Sequence, residues 1–244
     1  MNAQIEKIHS LIDEAENIVA LTGAGVSTLS GIPDFRSDKT GLWVKYDPNL
    51  VFSLSHFYQD PSTFYNFAFE HIYKFISGEP SIVHQGLSAM EQAGKLRWVI
   101  TQNIDLLHQK AGSKRVLELH GSPLNNYCIQ CKTTYQLEEI LPAIQNGEIP
   151  VCCKCQGIIK PDIIFFEEML KEDVISQSQK AVIKADLLLL LGTSMVVYPA
   201  AILPQLFLET GGKMIIVNNQ PTQYDPFAEI RLNDLQKTFK ELRF

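Results

Sequence analysis

Five short apolar runs punctuate the chain: Ile18–Leu21, Trp98–Thr101, Ile163–Phe166, Leu187–Leu191 and Met214–Val217. Each is bounded by small or polar residues. Runs this short and this apolar fit parallel strands covered on both faces. Between most of them, apolar positions recur at helical spacing. Ile5, Ile8, Leu11, Ile12 and Ala15 share one helical face, and Val83–Ala93, Lys171–Lys184 and Ala200–Leu208 read as further helices. Strands alternating with helices predict an α/β fold, a Rossmann-like open parallel sheet.

Two segments break the rhythm. Ser37–Glu79 is crowded with aromatics, from Trp43 and Tyr46 through Phe52, Phe57, Tyr58, Phe64 and Tyr65 to Phe67 and Phe69. It reads as short helices and loops, with Pro48 and Pro61 as breakers. Ser122–Lys160 holds all the cysteines together with Pro123, Pro142 and Pro150. The expected organisation is a nucleotide-binding sheet domain over residues 1–36, 80–121 and 160–244. A helical module over 37–79 and a zinc-binding module over 122–159 together form a smaller, discontinuous domain.

Hydrophobic residues make up 45% and charged residues 20% of 244 positions, ample material for a core. The net charge of -6 argues against a surface built for phosphate backbones, so no direct nucleic-acid partner is expected. The longest unbroken apolar stretch, Leu187–Leu191, falls far short of the roughly 18 residues a membrane helix needs. The charged, amphipathic first segment also lacks the apolar core of a signal peptide. A cytoplasmic protein without membrane contact is expected.

The five cysteines all fall between Cys128 and Cys155. Cys128-x-x-Cys131 is followed, after 20 residues, by Cys152-x-x-Cys155. Two such pairs at this spacing signal a tetrahedral zinc site, with a redox dithiol as the rival reading. Four thiolates leave zinc no open position. One zinc per chain is therefore expected to fold the module and not to do chemistry. Cys153 breaks the spacing and reads as a bystander or a minor alternative ligand.

Three further features lie at strand ends. Gly23-Ala24-Gly25 follows the first run, and glycines there let a backbone approach a diphosphate. The fingerprint is incomplete, because Thr28 stands at the third glycine position, and a plain tight turn is the alternative. Gln102, Asn103 and Asp105 follow the second run, where ligands sit in open α/β sheets, or they simply cap a helix. Gly192-Thr193-Ser194 and Asn218-Asn219 follow the fourth and fifth runs, either as ordinary turns or as parts of one crevice. His120 and His108 are both suited to proton transfer on chemistry alone, and either can be structural.

In this order, GAGVSTLSGIPDFR (Gly23–Arg36), TQNIDLLH (Thr101–His108), LELHGS (Leu117–Ser122), the two C-x-x-C pairs, PDIIFFEE (Pro161–Glu168), GTSMVVYPAA (Gly192–Ala201) and IVNN (Ile216–Asn219) resemble the sirtuin family of NAD-dependent protein deacylases. The compact length is most similar to the small bacterial members. The resemblance implies that Gly23, Ala24 and Gly25 hold the NAD diphosphate. It puts Asp34, Phe35 and Arg36 on a mobile cofactor loop, Phe35 shielding the reactive sugar. Gln102 would bind the nicotinamide ribose, and Asn103, Ile104 and Asp105 would receive the nicotinamide amide. His120 would be the general base. Gly192, Thr193, Ser194, Asn218 and Asn219 would bind the adenosine half, with Asp234 and Leu235 near the adenine. Ile164, Phe165, Phe166 and Val197 would line the acyl-lysine tunnel, with the peptide added as a strand between the two domains.

The implied reaction releases nicotinamide, with Asp105 gripping the departing amide. The acyl oxygen of the modified lysine attacks the sugar, and His120 takes a proton from a ribose hydroxyl. The products are free lysine, nicotinamide and O-acyl-ADP-ribose. Water must be excluded, which gives Phe35 a role beyond packing. Two departures stand out. Glu167 stands where the family commonly has glycine, in a loop that contacts peptide in relatives. Members that remove acidic acyl groups carry a Tyr-x-x-Arg pair, whereas Tyr65 here is followed by Ala68. The alternatives are ADP-ribosyl transfer or NAD hydrolysis by the same pocket, and a non-catalytic NAD-sensing module.

Overall fold

The computed structural model describes residues 2–37 and 41–242. Asp38, Lys39 and Thr40, assigned by sequence to the aromatic module, lie outside the described residues. Nine strands occur among those described. They are β1 (Ile18–Thr22), β2 (Leu96–Thr101), β3 (Val116–Glu118), β4 (Gly121–Cys128), β5 (Thr134–Gln136), β6 (Ile159–Ile163), β7 (Leu187–Leu191), β8 (Lys213–Val217) and β9 (Ile230–Leu232). The chain divides into two compact units. The larger comprises Met1–Asp34, Gly78–Leu119 and Lys171–Phe244, the smaller Phe35–Ser77 and His120–Leu170.

The larger unit is built on six strands in the order β3-β2-β1-β7-β8-β9, every neighbouring pair parallel. The alternation of side chains across a strand explains why the runs are apolar throughout. Ile18, Ala20, Leu187, Leu189 and Leu191 face one core, with Ile8 and Leu11 of the Asn2–Glu14 helix and Val83 and Leu87 of the Ile82–Gln92 helix. Val19, Leu21, Leu188 and Leu190 face the other, with Val182 of the Glu172–Ile183 helix and Phe207 of the Leu203–Leu208 helix. Both faces of β1 and β7 are fully covered. Register then aligns the strand ends. Thr22 pairs with Thr101 and with Leu191. Gly23, Gln102 and Gly192 therefore leave the sheet side by side. Strand order also reverses direction here, with β2 and β3 on one side of β1 and β7 to β9 on the other. That is the switch point where open α/β sheets bind ligands.

The smaller unit holds a three-stranded antiparallel sheet, β5-β4-β6. This corrects the expectation for Ile163–Phe166, read from its apolarity as a strand of the parallel sheet. β6 ends at Ile163 and pairs with β4 instead. A short apolar run records burial, not the partner strand. Pro48 and Pro61 do not break helices but open them, at the starts of Pro48–Val51 and Pro61–His71. Asp47 and Asp60 cap those helices by accepting from Asn49 N and Ser62 N. A proline has no amide to leave unpaired in a first turn. Phe52, Phe57, Phe64 and Phe165 then pack edge-to-face or tilted, with ring centroids 4.9–5.9 Å apart.

Candidate active site and metal centre

At the end of β1 the backbone turns against the end of β7. Gly23 N donates to Leu191 O at 3.2 Å, and Gly25 N to Gly192 O at 2.8 Å. A Cβ on Gly25 would lie 2.7 Å from Gly192 Cα, and one on Gly192, at φ 59°, would lie 2.6 Å from Val26 N. Glycine is required at both crossing points.

The β2 end supplies side chains to this turn. Asn103 Nδ2 donates to Gly23 O and to Ser27 Oγ, both at 3.0 Å. Ser27 Oγ donates to Asp105 Oδ2 at 2.6 Å, and Leu107 N to Asp105 Oδ1 at 2.9 Å. Burial raises the Asp105 pKa, while the Ser27 and Leu107 donors oppose that shift. Gln102 Nε2 donates to Thr193 Oγ1 at 2.8 Å, joining the β2 and β7 ends. Asn103, Gln102, Asp105, Gly23, Gly25, Gly192 and Thr193 are thus brought together. Ser27 is the link that sequence reasoning missed. Its partners lie 76 and 78 positions away, so no local signal marks it.

The remaining residues are placed as follows. Asn218 N donates to Leu232 O at 3.0 Å and Gly192 N to Val217 O at 2.9 Å, so the β8 end adjoins the β7 turn. Asn218 is buried and Asn219 exposed. Asp234 caps the Leu235–Leu242 helix, accepting from Lys237 N at 2.9 Å. Ala24, Ile104 and Ser194 are half-buried. Asp34 ends the first segment of the larger unit. Phe35 and exposed Arg36 begin the smaller one, where the Phe35 ring lies 4.9 Å from that of Trp43. Val197 lies in the larger unit.

His120 opens the second segment of the smaller unit and is partly exposed. Gly121 after it has φ 76°, and a Cβ there would overlap Asp162 O of β6. That approach seats His120 against the segment after β6, and its carbonyl accepts from Ile164 N at 2.9 Å. His120 and the Ile164–Phe166 stretch are therefore neighbours. His108 is different. It is 1% exposed, its Nε2 lies 2.9 Å from Thr22 Oγ1, and burial, with His84 close by, holds its pKa well below the usual value. The imidazole is thus neutral and enclosed.

Cys128, Cys131, Cys152 and Cys155 converge, their sulfurs all within 4.8 Å of one another. The Cys128–Cys155 and Cys131–Cys152 separations are 3.4 and 3.5 Å. Tetrahedral Zn–S bonds of about 2.3 Å require sulfurs about 3.8 Å apart, so the four thiols fit zinc. Both C-x-x-C turns close alike. Lys132 N donates to Cys128 O at 3.0 Å and Gln156 N to Cys152 O at 2.9 Å. Lys132 and Gln156 both take positive φ, 61° and 60°. Tyr135 OH donates to Cys152 Sγ at 3.0 Å. Cys153 stands outside the metal group, exposed.

Comparison with known proteins follows the same lines. The model of the Sir2 family matches residues 23–199. The chain is 41% identical over 230 residues to the NAD-dependent protein deacetylase of Thermotoga maritima, covering 94% of this chain and 93% of that one. The chain belongs to the Sir2 family. Two solved Sir2 structures are similar at 39% identity, each over 98% of this chain and 96% of its own. One, described with a deacetylated p53 peptide and 3'-O-acetyl ADP ribose, has a TM-score of 0.93. The other, described with p53 peptide and NAD+, has a TM-score of 0.90. The matched 98% of this chain takes in both its parallel sheet and its small antiparallel one. Among the described residues, no helix is long and apolar enough to cross a membrane.

Proposed function

We propose that this Sir2-family chain is an NAD-dependent protein-lysine deacylase. The observation that carries the reading is the network Gly23–Asn103–Ser27–Asp105 at the aligned ends of β1 and β2, beside Gln102 and Thr193. Its groups are neutral hydrogen-bonding side chains around a glycine turn, with Asp105 the one acid. Such a set suits a dinucleotide, because the turn brings no further anion against a diphosphate.

In this reading, Gly23, Ala24 and Gly25 hold the diphosphate, and Asp34, Phe35 and Arg36 cover the reactive sugar. Gln102 orients the ribose, and Asn103, Ile104 and Asp105 grip the nicotinamide amide. Gly192, Thr193, Ser194, Asn218 and Asn219 bind the adenosine half, with Asp234 and Leu235 near the adenine. NAD supplies the ADP-ribosyl acceptor for the acyl group and nicotinamide as the leaving group. His120 accepts a proton from a ribose hydroxyl at a ring nitrogen. Its backbone tie to Ile164 supports a place for Ile164, Phe165 and Phe166 on the wall that meets the acyl-lysine, with Val197 as a further lining residue. Zinc held by the four cysteines keeps the β4–β6 sheet in place and takes no part in the chemistry. Thiolate ligands suit a reducing compartment, and we place the protein in the cytoplasm.

The test is NAD-dependent loss of acetyl from an acetyl-lysine peptide, with nicotinamide released one for one. His120→Ala and His120→Tyr should abolish it without loss of zinc. Activity surviving in both refutes the role of His120. Nicotinamide release without any acyl-lysine would favour NAD hydrolysis.

A further inference from the structure

The segment after β6 makes a turn that L side chains rarely adopt. Glu167 has φ 76°. Its neighbours hold that turn. Phe166 N donates to Phe52 O at 2.7 Å, and Leu54 N to Phe166 O at 3.4 Å. The Glu167 carboxylate is held as well. Oε1 accepts from Ser53 Oγ at 2.8 Å and Ser55 Oγ at 2.9 Å, and Oε2 from Ser55 N at 3.2 Å. These donors, Ser53 foremost, hold its pKa below the usual carboxylate value.

All three donors are neutral. No cation pairs with Glu167 among the described residues. Glu168, by contrast, is neutralised by buried Lys160 at 2.8 Å. Glu167 is exposed, and Oε2, with one donor, retains acceptor capacity. Beside it Phe166 is 41% and Met169 89% exposed. The result is a positioned, uncompensated negative charge next to open apolar surface. Glycine would occupy this turn without strain. A side chain kept in a disfavoured conformation by three hydrogen bonds points to a function. A lysine or arginine side chain matches both features, with an apolar stem and a cationic head.

We propose that Glu167 is a specificity-determining residue that selects acyl-lysine segments with arginine or lysine beside the modified lysine and disfavours those with acids there. This rests on the reading of Ile164–Phe166 as the acyl-lysine wall. The test uses the zinc-loaded full chain and labelled acetyl-lysine peptides carrying arginine, alanine or glutamate on each side of the modified residue. Fluorescence anisotropy reads binding with and without NAD, and turnover is followed in parallel. The arginine peptide should bind about 2–5-fold tighter than the alanine peptide, and the glutamate peptide weaker by a similar factor. The difference should fall in KM and not kcat, shrink with added salt, and vanish in Glu167→Gln. Glu167→Gly, at ease with the backbone, is the second variant and should lose the preference too.

Equal binding of the three peptides, no binding of any, or an arginine preference that survives both substitutions overturns the inference. Turnover with equal KM leaves deacylation standing and overturns the selection. Charge-ranked binding that is lost in both variants, with no turnover of any peptide, supports the selection and overturns the deacylase reading instead.

Discussion

Replacing Ser27 by alanine removes the hydroxyl that joins Asn103 to Asp105. Ser27 is 1% exposed, so the site offers little access for water to take its place. Asn103 Nδ2 keeps its 3.0 Å bond to Gly23 O, and Asp105 keeps the 2.9 Å bond from Leu107 N. A hydrogen bond to a charged group contributes about 1.5–3 kcal/mol. Asp105 is partly exposed, so the low end of that range, about 1.5 kcal/mol, applies here. The sign with pH follows from the direction of its shift. Burial raises the Asp105 pKa, so the folded chain holds this proton more tightly than the unfolded chain does. Ionised Asp105 therefore costs stability above its unfolded pKa and nothing where both states are protonated. Losing the Ser27 donor raises the folded pKa further. The deficit of Ser27→Ala should be about 1.5 kcal/mol near neutrality and shrink as pH falls through the carboxylate range. Urea midpoints of both proteins, compared with zinc present at about pH 7 and about pH 5, read this directly. A deficit equal at both pH values would mean that Ser27 only fills space.

Metal analysis should find one zinc per chain. Cys128→Ala should lose it and unfold or aggregate; a soluble, fully active variant contradicts the structural role. Tyr135→Phe, which removes the donor to Cys152 Sγ, should speed zinc loss to a chelator by about 10-fold, followed with a metallochromic dye. Gly121→Ala meets both a positive φ and the Asp162 carbonyl, and should destabilise by about 2–4 kcal/mol in urea unfolding. Succinyl-lysine peptides should be turned over far more slowly than acetyl-lysine peptides. Tyr65 is buried with its hydroxyl committed to Ile159 O, and Ala68 offers no cation; comparable rates on the two peptides refute this.

What the sequence determined by itself was local. The period of apolar positions marked β1, β7 and β8 and the helices at Asn2–Glu14, Ile82–Gln92 and Glu172–Ile183, because burial on one or both faces writes itself directly into residue order. The spacing of the cysteines named a metal cluster, since each pair needs only one tight turn. Order in the chain also carried the family resemblance. Pairing over long separations was decided only in three dimensions. The apolarity of Ile163–Phe166 does not say whether β6 joins β2 or β4. That depends on the Gly121–Asp162 approach, where the missing side chain admits a neighbouring backbone. Ser27 looked like one more small loop residue until register set the ends of β1 and β2 level. His108 and His120 were chemically alike in the sequence, and burial separated them. Glu167 read as a departure from glycine. The tertiary structure decided that its charge is held in place by Ser53 and Ser55, more than a hundred positions away.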